Sequence, residues 1–255
     1  MIPIKTDFEI QKMREACLVA ATVLDRVCNR VVEGISTYEL DQLGKLYISE
    51  LGARSACYDY NVGGRRFPSY TCISVNEEIV HGIGTKNRII KSGDCVSVDI
   101  VVQYGEFIGD NARTVTVGTV DPKVEELVQT AEDAFYYALK SVKPGKRVGD
   151  ISNAVQTFVE KRDFSIIRDF VGHGVGREMH EEPQIPNFGK KKTGSRLQAG
   201  MTLAIEPMIT MGSPVIEILP DGWTAVTKDR KSASHFEHTV LVCDDKPEIL
   251  TKLKN

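Results

Sequence analysis

The stretch GDCVSVD, residues 93–99, runs through strand-forming residues and stops on an acid. Strand alternation places Val96, Val98 and Ile100 on one face. Asp99 then shares the other face with the small residues Cys95 and Ser97. The pattern returns as GMTLAIE at 200–206, where Glu206 shares its face with Ala204 and Thr202. In both copies the acid points to a side kept free of bulk. A buried, unpaired carboxylate costs several kcal/mol, so such acids are paired or bind metal.

Working outward, the echo extends along the chain. Val31-x-x-Gly34 matches Val142-x-x-Gly145, and His81-Gly-Ile-Gly matches His173-Gly-Val-Gly. The order is the same in both halves, which marks an internal repeat. Gly145 follows Gly34 by 111 residues, His173 follows His81 by 92, and Glu206 follows Asp99 by 107. The second half therefore loses residues before His173 and gains a loop near Lys190–Ser195. Each half starts with two helices. Thr6-x-x-Glu9 and Ser36-x-x-Glu39 are capping boxes, and Asp121-Pro122 is a helix start. Strand-like runs follow: Thr71–Val75, Cys95–Val102 and Thr114–Val117, then Met201–Ile205, Val215–Leu219, Trp223–Val226 and Thr239–Val242. The expected class is α+β. Two pseudo-symmetric halves, about 6–120 and 121–250, share one antiparallel sheet. No Pro/Gly/Ser-rich linker separates them, so residues 1–255 read as a single domain.

Composition narrows the function. The chain has 255 residues, 42% hydrophobic and 26% charged, with a net charge of −3. That is a globular balance, and a nucleic-acid scaffold would be basic. No apolar run approaches the roughly 20 residues of a membrane span, and the first residues lack a signal-peptide core. Six cysteines without a CxxC pair argue for reduced thiols and a cytoplasmic site. HExxH and GxSxG are missing, and GIGTK at 82–86 is not a phosphate-binding loop.

Two more acids extend the pattern. Asp110 lies eleven residues after Asp99, past a Tyr104-Gly105-Glu106 turn, where a returning antiparallel strand would bring it alongside. Glu237, opening the last strand, fills the equivalent place in the second half. Four carboxylates carry about −4, the charge of two divalent cations. With the imidazole of His173 they suit Mn, Fe, Co or Zn. Paired ions of this kind sit about 3.5–4 Å apart in hydrolytic sites.

With GHGVGREMHEEPQIPN at 172–187, TCISVNE at 71–77 and DGWTAVTKDR at 221–230, the chain resembles the type I methionine aminopeptidases over nearly its whole length. The resemblance implies the pita-bread fold and removal of the initiator methionine from nascent polypeptides. It implies metal ligation of two divalent ions by Asp99, Asp110, His173, Glu206 and Glu237. In that scheme a metal-activated hydroxide attacks the first peptide bond. Glu206 also shuttles the proton, His180 stabilises the carbonyl oxygen, and His81 contacts the backbone amide beyond the scissile bond. The free α-amine completes one metal's shell, which explains release of a single residue. Cys72, Met179, Trp223 and Phe67 belong to the methionine pocket, with Met179 where the family often has Phe. A tight pocket beyond the bond implies a small second residue. The family also implies a monomer without membrane or sequence-specific nucleic-acid binding, and a transient ribosome contact.

Several features stand outside the motifs. His238 follows Glu237, so alternation turns it off the metal face into a structural role. His235, where the family commonly has Gln, shares the parity of Glu237, which allows a contact behind the ligands. Lys190-Lys191-Lys192 reads as a solvated loop, with an RNA contact as the lesser reading. The segment Tyr58–Tyr70 is about four residues longer than the family's usual stretch and borders the methionine pocket. Two rivals share the fold: a prolidase or Xaa-Pro aminopeptidase, and a non-catalytic binding module. The first usually carries a large extra N-terminal domain, and the second typically loses ligands.

Overall fold

The computed structural model describes residues 2–253. Helices α1 (Asp7–Cys28) and α2 (Thr37–Glu50) both start with a reciprocal capping box, Thr6 with Glu9 and Ser36 with Glu39. Helix α3 (Pro122–Leu139) is capped by the Asp121 carboxylate, which accepts from the Lys123 amide, and α4 (Val148–Glu160) follows. Each capping side chain satisfies amide donors that a first turn leaves without partners.

Nine antiparallel strands form the main sheet. In chain order they are β1 (Arg54–Ser55), β2 (Cys72–Val75), β3 (Cys95–Tyr104), β4 (Phe107–Thr116), β5 (Gly172–Gly174), β6 (Glu181–Ile185), β7 (Thr202–Ile205), β8 (Glu237–Leu241) and β9 (Glu248–Ile249). Their lateral order is β1-β3-β4-β8-β7-β5-β6, with β2 also pairing β3 and β9 also pairing β8. The sheet thus runs through both halves of the repeat, and β4 meets β8 at the junction. This is the pita-bread architecture.

The alternation read from GDCVSVD holds. Val96, Val98 and Ile100 pack with Val23, Leu24, Leu40 and Ile48 beneath α1 and α2. In the second half, Leu203, Ile205 and Val240 pack with Leu127, Phe135, Ile151 and Val155 beneath α3 and α4. One apolar face on each half buries its helix pair, which leaves the alternate positions to line the opposite face.

Two strand readings change. The expected Thr114–Val117 strand is the end of a ten-residue strand that begins at Phe107. Its middle is Gly-Asp-Asn-Ala-Arg, whose polarity hides it from propensity. Glu237 opens strand β8 as expected, but the short β9 follows it, so β8 is not the last.

Candidate metal centre

Strand register assembles the acids. Asp99 pairs with Ala112 on β4, Ala112 pairs with Glu237 on β8, and Asp110 pairs with Val101 two positions along. Ile205 pairs with His238, so Glu206 follows directly beside Glu237. His173 pairs with Ala204. Five side chains, from β3, β4, β5, β8 and the residue just past β7, converge on one face.

Glycine permits the close approach around His173. A Cβ on Gly172 would lie 2.4 Å from the Ala204 carbonyl oxygen, and one on Gly174 would lie 2.3 Å from that of Glu182. The GHG spacing is therefore a packing requirement as well as a motif.

His173 Nδ1 donates to the Gly174 carbonyl at 3.0 Å, because a carbonyl can only accept. Its Nε2 faces Glu206 Oε1 at 3.4 Å and Asp110 Oδ2 at 3.9 Å. His235 is buried with its Nε2 3.5 Å from Glu206 Oε2 and 4.0 Å from Glu237 Oε2. Asp99 Oδ1, Glu237 Oε1 and His235 Nε2 are buried without a hydrogen-bond partner. Burial, and then mutual repulsion, holds Asp110 and Glu237 well above the usual carboxylate range, and burial pushes Asp99 up to about 6. Ligand atoms of Asp110, His173 and Glu237 lie within 4.8 Å of one another. Crowded oxygens and a nitrogen facing each other without a donor between them fit divalent cations and nothing apolar.

All eleven residues singled out from the sequence line one cavity of about 580 Å³. The five ligand candidates form its floor. His81 holds a positive φ of 60° and sets its ring edge-on to Phe170, 5.3 Å between centroids. His180 stands exposed at the mouth, its ring 4.5 Å from that of His173. Cys72, Phe67, Met179 and Trp223 make an apolar wall, with Phe67 edge-on to Trp223 at 5.3 Å. His238 does not line the cavity; its ring packs against Phe135 and Phe236 and its Nδ1 lies 2.8 Å from Thr251 Oγ1.

Other functional neighbours escaped the sequence reading. Tyr60, Phe170 and Met208 line the cavity. Asn187 donates from its amide to the Glu206 carbonyl at 2.8 Å, which fixes the strand end bearing that acid. Its place in PQIPN was the available signal. Tyr60 gave none, because a loop tyrosine has no periodicity.

Residues 61–66 of the Tyr58–Tyr70 segment form a hairpin. Asn61–Val62 pairs with Arg65–Arg66 across Gly63-Gly64, whose φ values are 58° and 87°. Positive φ at both central positions is the tight two-residue turn that glycine favours. Tyr60 and Phe67 close its base, with the Phe67 amide donating to the Tyr60 carbonyl at 2.9 Å.

Fold and site together define a metal-dependent peptidase of the pita-bread class. A model of metallopeptidase family M24 matches residues 11–244. Methionine aminopeptidase 1 of Bacillus subtilis is 42% identical over 253 residues, 99% of this chain and 100% of that protein. The chain belongs to metallopeptidase family M24, in its methionine aminopeptidase branch. The crystal structure of methionine aminopeptidase from Thermotoga maritima superposes with a TM-score of 0.96 at 45% identity, covering 99% of this chain and 100% of that one. The prolidase from Pyrococcus furiosus shares the fold with a TM-score of 0.79 at 24% identity, covering 99% of this chain and 66% of that one.

Proposed function

We propose that this metallopeptidase removes the N-terminal methionine from nascent proteins and peptides and prefers a small second residue. One observation carries the reading: a single cavity joins the carboxylate and imidazole floor to an apolar wall of Cys72, Phe67, Met179 and Trp223. A methionine side chain against that wall sets the first peptide bond over the acids. A thioether packs well against aromatic edges and soft sulfur.

Asp99, Asp110, His173, Glu206 and Glu237 are the residues that would hold two divalent ions. When bound, such ions would acidify water to give a nucleophile at neutral pH and polarise the scissile carbonyl. The protein's own groups do the rest. Glu206, flanked by His173 and His235, is held where it can take a proton and pass it to the leaving amine. His180 donates to the carbonyl oxygen as it gains charge. His81 holds the amide beyond the bond.

The whole chain, residues 1–255, acts as one catalytic unit in this reading, because ligands from both halves share the floor. We place it in the cytoplasm as a monomer. All six cysteines are free, and no described helix is long and apolar enough to cross a membrane. Lys190–Lys192, exposed on its loop, is available for a transient ribosome contact.

The test is a peptide assay with Mn, Co or Fe, comparing Met-Ala-Ser, Met-Lys-Ser and Ala-Pro. Methionine should leave Met-Ala-Ser fastest. Absence of release with every metal overturns the reading, and preference for Ala-Pro moves it to a prolidase. His180→Ala should lose about two orders of magnitude or more in kcat while retaining metal, the size expected for one lost oxyanion donor. Metal loss in that variant would make His180 a ligand instead.

A further inference from the structure

We propose that Tyr60 is a positioning residue for His180, fixing which ring nitrogen carries the proton offered to substrate. The inference rests on the role given to His180 above. Tyr60 Oη lies 2.9 Å from His180 Nδ1, and the two rings meet edge to face, 5.8 Å between centroids. His173 holds the same imidazole from another side. The Tyr60 hydroxyl has no other hydrogen-bond partner among the described residues.

Chemistry then selects the donor. A phenol gives up its proton readily and accepts poorly, because its lone pair is drawn into the ring. An imidazole nitrogen without hydrogen is a good acceptor. The hydroxyl therefore donates to Nδ1, and the neutral ring keeps its proton on Nε2. Nε2 is the nitrogen left free to donate to a carbonyl oxygen. Without the hydroxyl, water at the cavity mouth serves both nitrogens. A share of the molecules would then present a bare lone pair to that oxygen.

Tyr60 is also held in place. Its amide donates to the Cys57 carbonyl at 3.0 Å, and its carbonyl accepts from the Phe67 amide. Phe67 is buried and stands edge-on to Trp223. The hairpin at 61–66 extends from this base, with Val62 also lining the cavity, and Tyr60 faces His180.

Two measurements test the proposal on the full chain and its Tyr60→Phe variant. Long-range proton–nitrogen correlation with 15N-labelled histidine, on protein loaded with diamagnetic zinc, reads the His180 tautomer. The His180 signal is assigned by its loss in His180→Gln. The native protein should show Nδ1 bare and Nε2 protonated, and Tyr60→Phe should show mixed tautomers. For Met-Ala-Ser, Tyr60→Phe should lower kcat about tenfold, part of the loss from removing such a donor outright, with KM within about twofold. A protonated Nδ1 in the native protein overturns the proposal. So does an unchanged kcat, or a rise in KM alone, which would make Tyr60 a packing wall. If the native protein releases no methionine, the proposed function falls, while the tautomer measurement still decides the Tyr60–His180 contact.

Discussion

His81 combines two costs in one residue. Its backbone sits at φ 60°, and burial drives its ring down to about pKa 4. An unfolded histidine titrates near 6.5. Between those values the unfolded chain binds more protons than the folded one, so stability falls as pH drops from 6.5 towards 4. The contribution is about 3 kcal/mol at most, because the ring keeps some contact with water. His81→Asn should remove this loss, since asparagine tolerates positive φ. Thermal melts from pH 7 to pH 4 should show a shallower fall for the variant, whereas parallel curves would refute the assignment. At this scale the sequence was informative. Strand parity singled out Asp99 and Glu206 beside their small neighbours, while Asp110, His173 and Glu237 were read from the turn after Asp99, the repeated motifs and the resemblance. Tyr60 could not be placed, because the bond to His180 joins residues 120 apart.

The segment that carries His180 is tied to the start of the chain. Lys5 Nζ meets Glu181 Oε2 at 2.5 Å, with both side chains largely buried. The other oxygen of Glu181 accepts from the Arg177 amide. Lys5→Met would leave that carboxylate buried and unpaired, at a cost of about 3–5 kcal/mol. Urea denaturation should show the loss, and hydrogen exchange should rise first across 176–181. A stability change under about 1 kcal/mol would mean that solvent reaches Glu181. The hairpin at 61–66 behaves differently. Replacing Asn61–Arg66 with Asn-Gly supplies the preferred two-residue turn and keeps the bond between Tyr60 and Phe67. Methionine release from Met-Ala-Ser should stay within about threefold; a collapse in rate would show that the hairpin itself contacts substrate. The elements recoverable from sequence were those with local signals, such as capping boxes, Asp121-Pro122 and alternating valines. The three-residue β5 was not expected, because Gly-His-Gly carries no strand propensity and only its two neighbours make it a strand.

The whole molecule places mutually repelling acids on a sheet stabilised by two separate apolar layers. Divalent ions would offset that repulsion, and only the folded chain brings their donors together. Stripping the protein with a chelator should lower Tm, and excess Mn should restore it. At about 100 times Kd the linkage is worth about 2.7 kcal/mol, several degrees for a chain of this length. In the metal-free protein, Glu237→Gln should raise Tm, because the amide has no ionised form for burial and the neighbouring acids to disfavour. A Tm indifferent to every divalent ion would count against the site. The repeat was legible in sequence as matched motifs, whereas the seam between halves was not, since it depends on how β4 and β8 meet.

That seam has a consequence for how the protein matures. Two ladder pairs, Glu237 with Ala112 and His238 with Asn111, join β4 to β8, and the Thr239 hydroxyl donates across the seam to the Asp110 carbonyl at 2.8 Å. Asp99 and Asp110 stand on one side of it, and His173, Glu206 and Glu237 on the other. Neither half, folded by itself, presents the full donor set. Tight ion uptake would then follow docking of the halves and report completed folding. A chain trapped with its halves apart would remain metal-poor and inert, so it could not cleave peptide bonds prematurely.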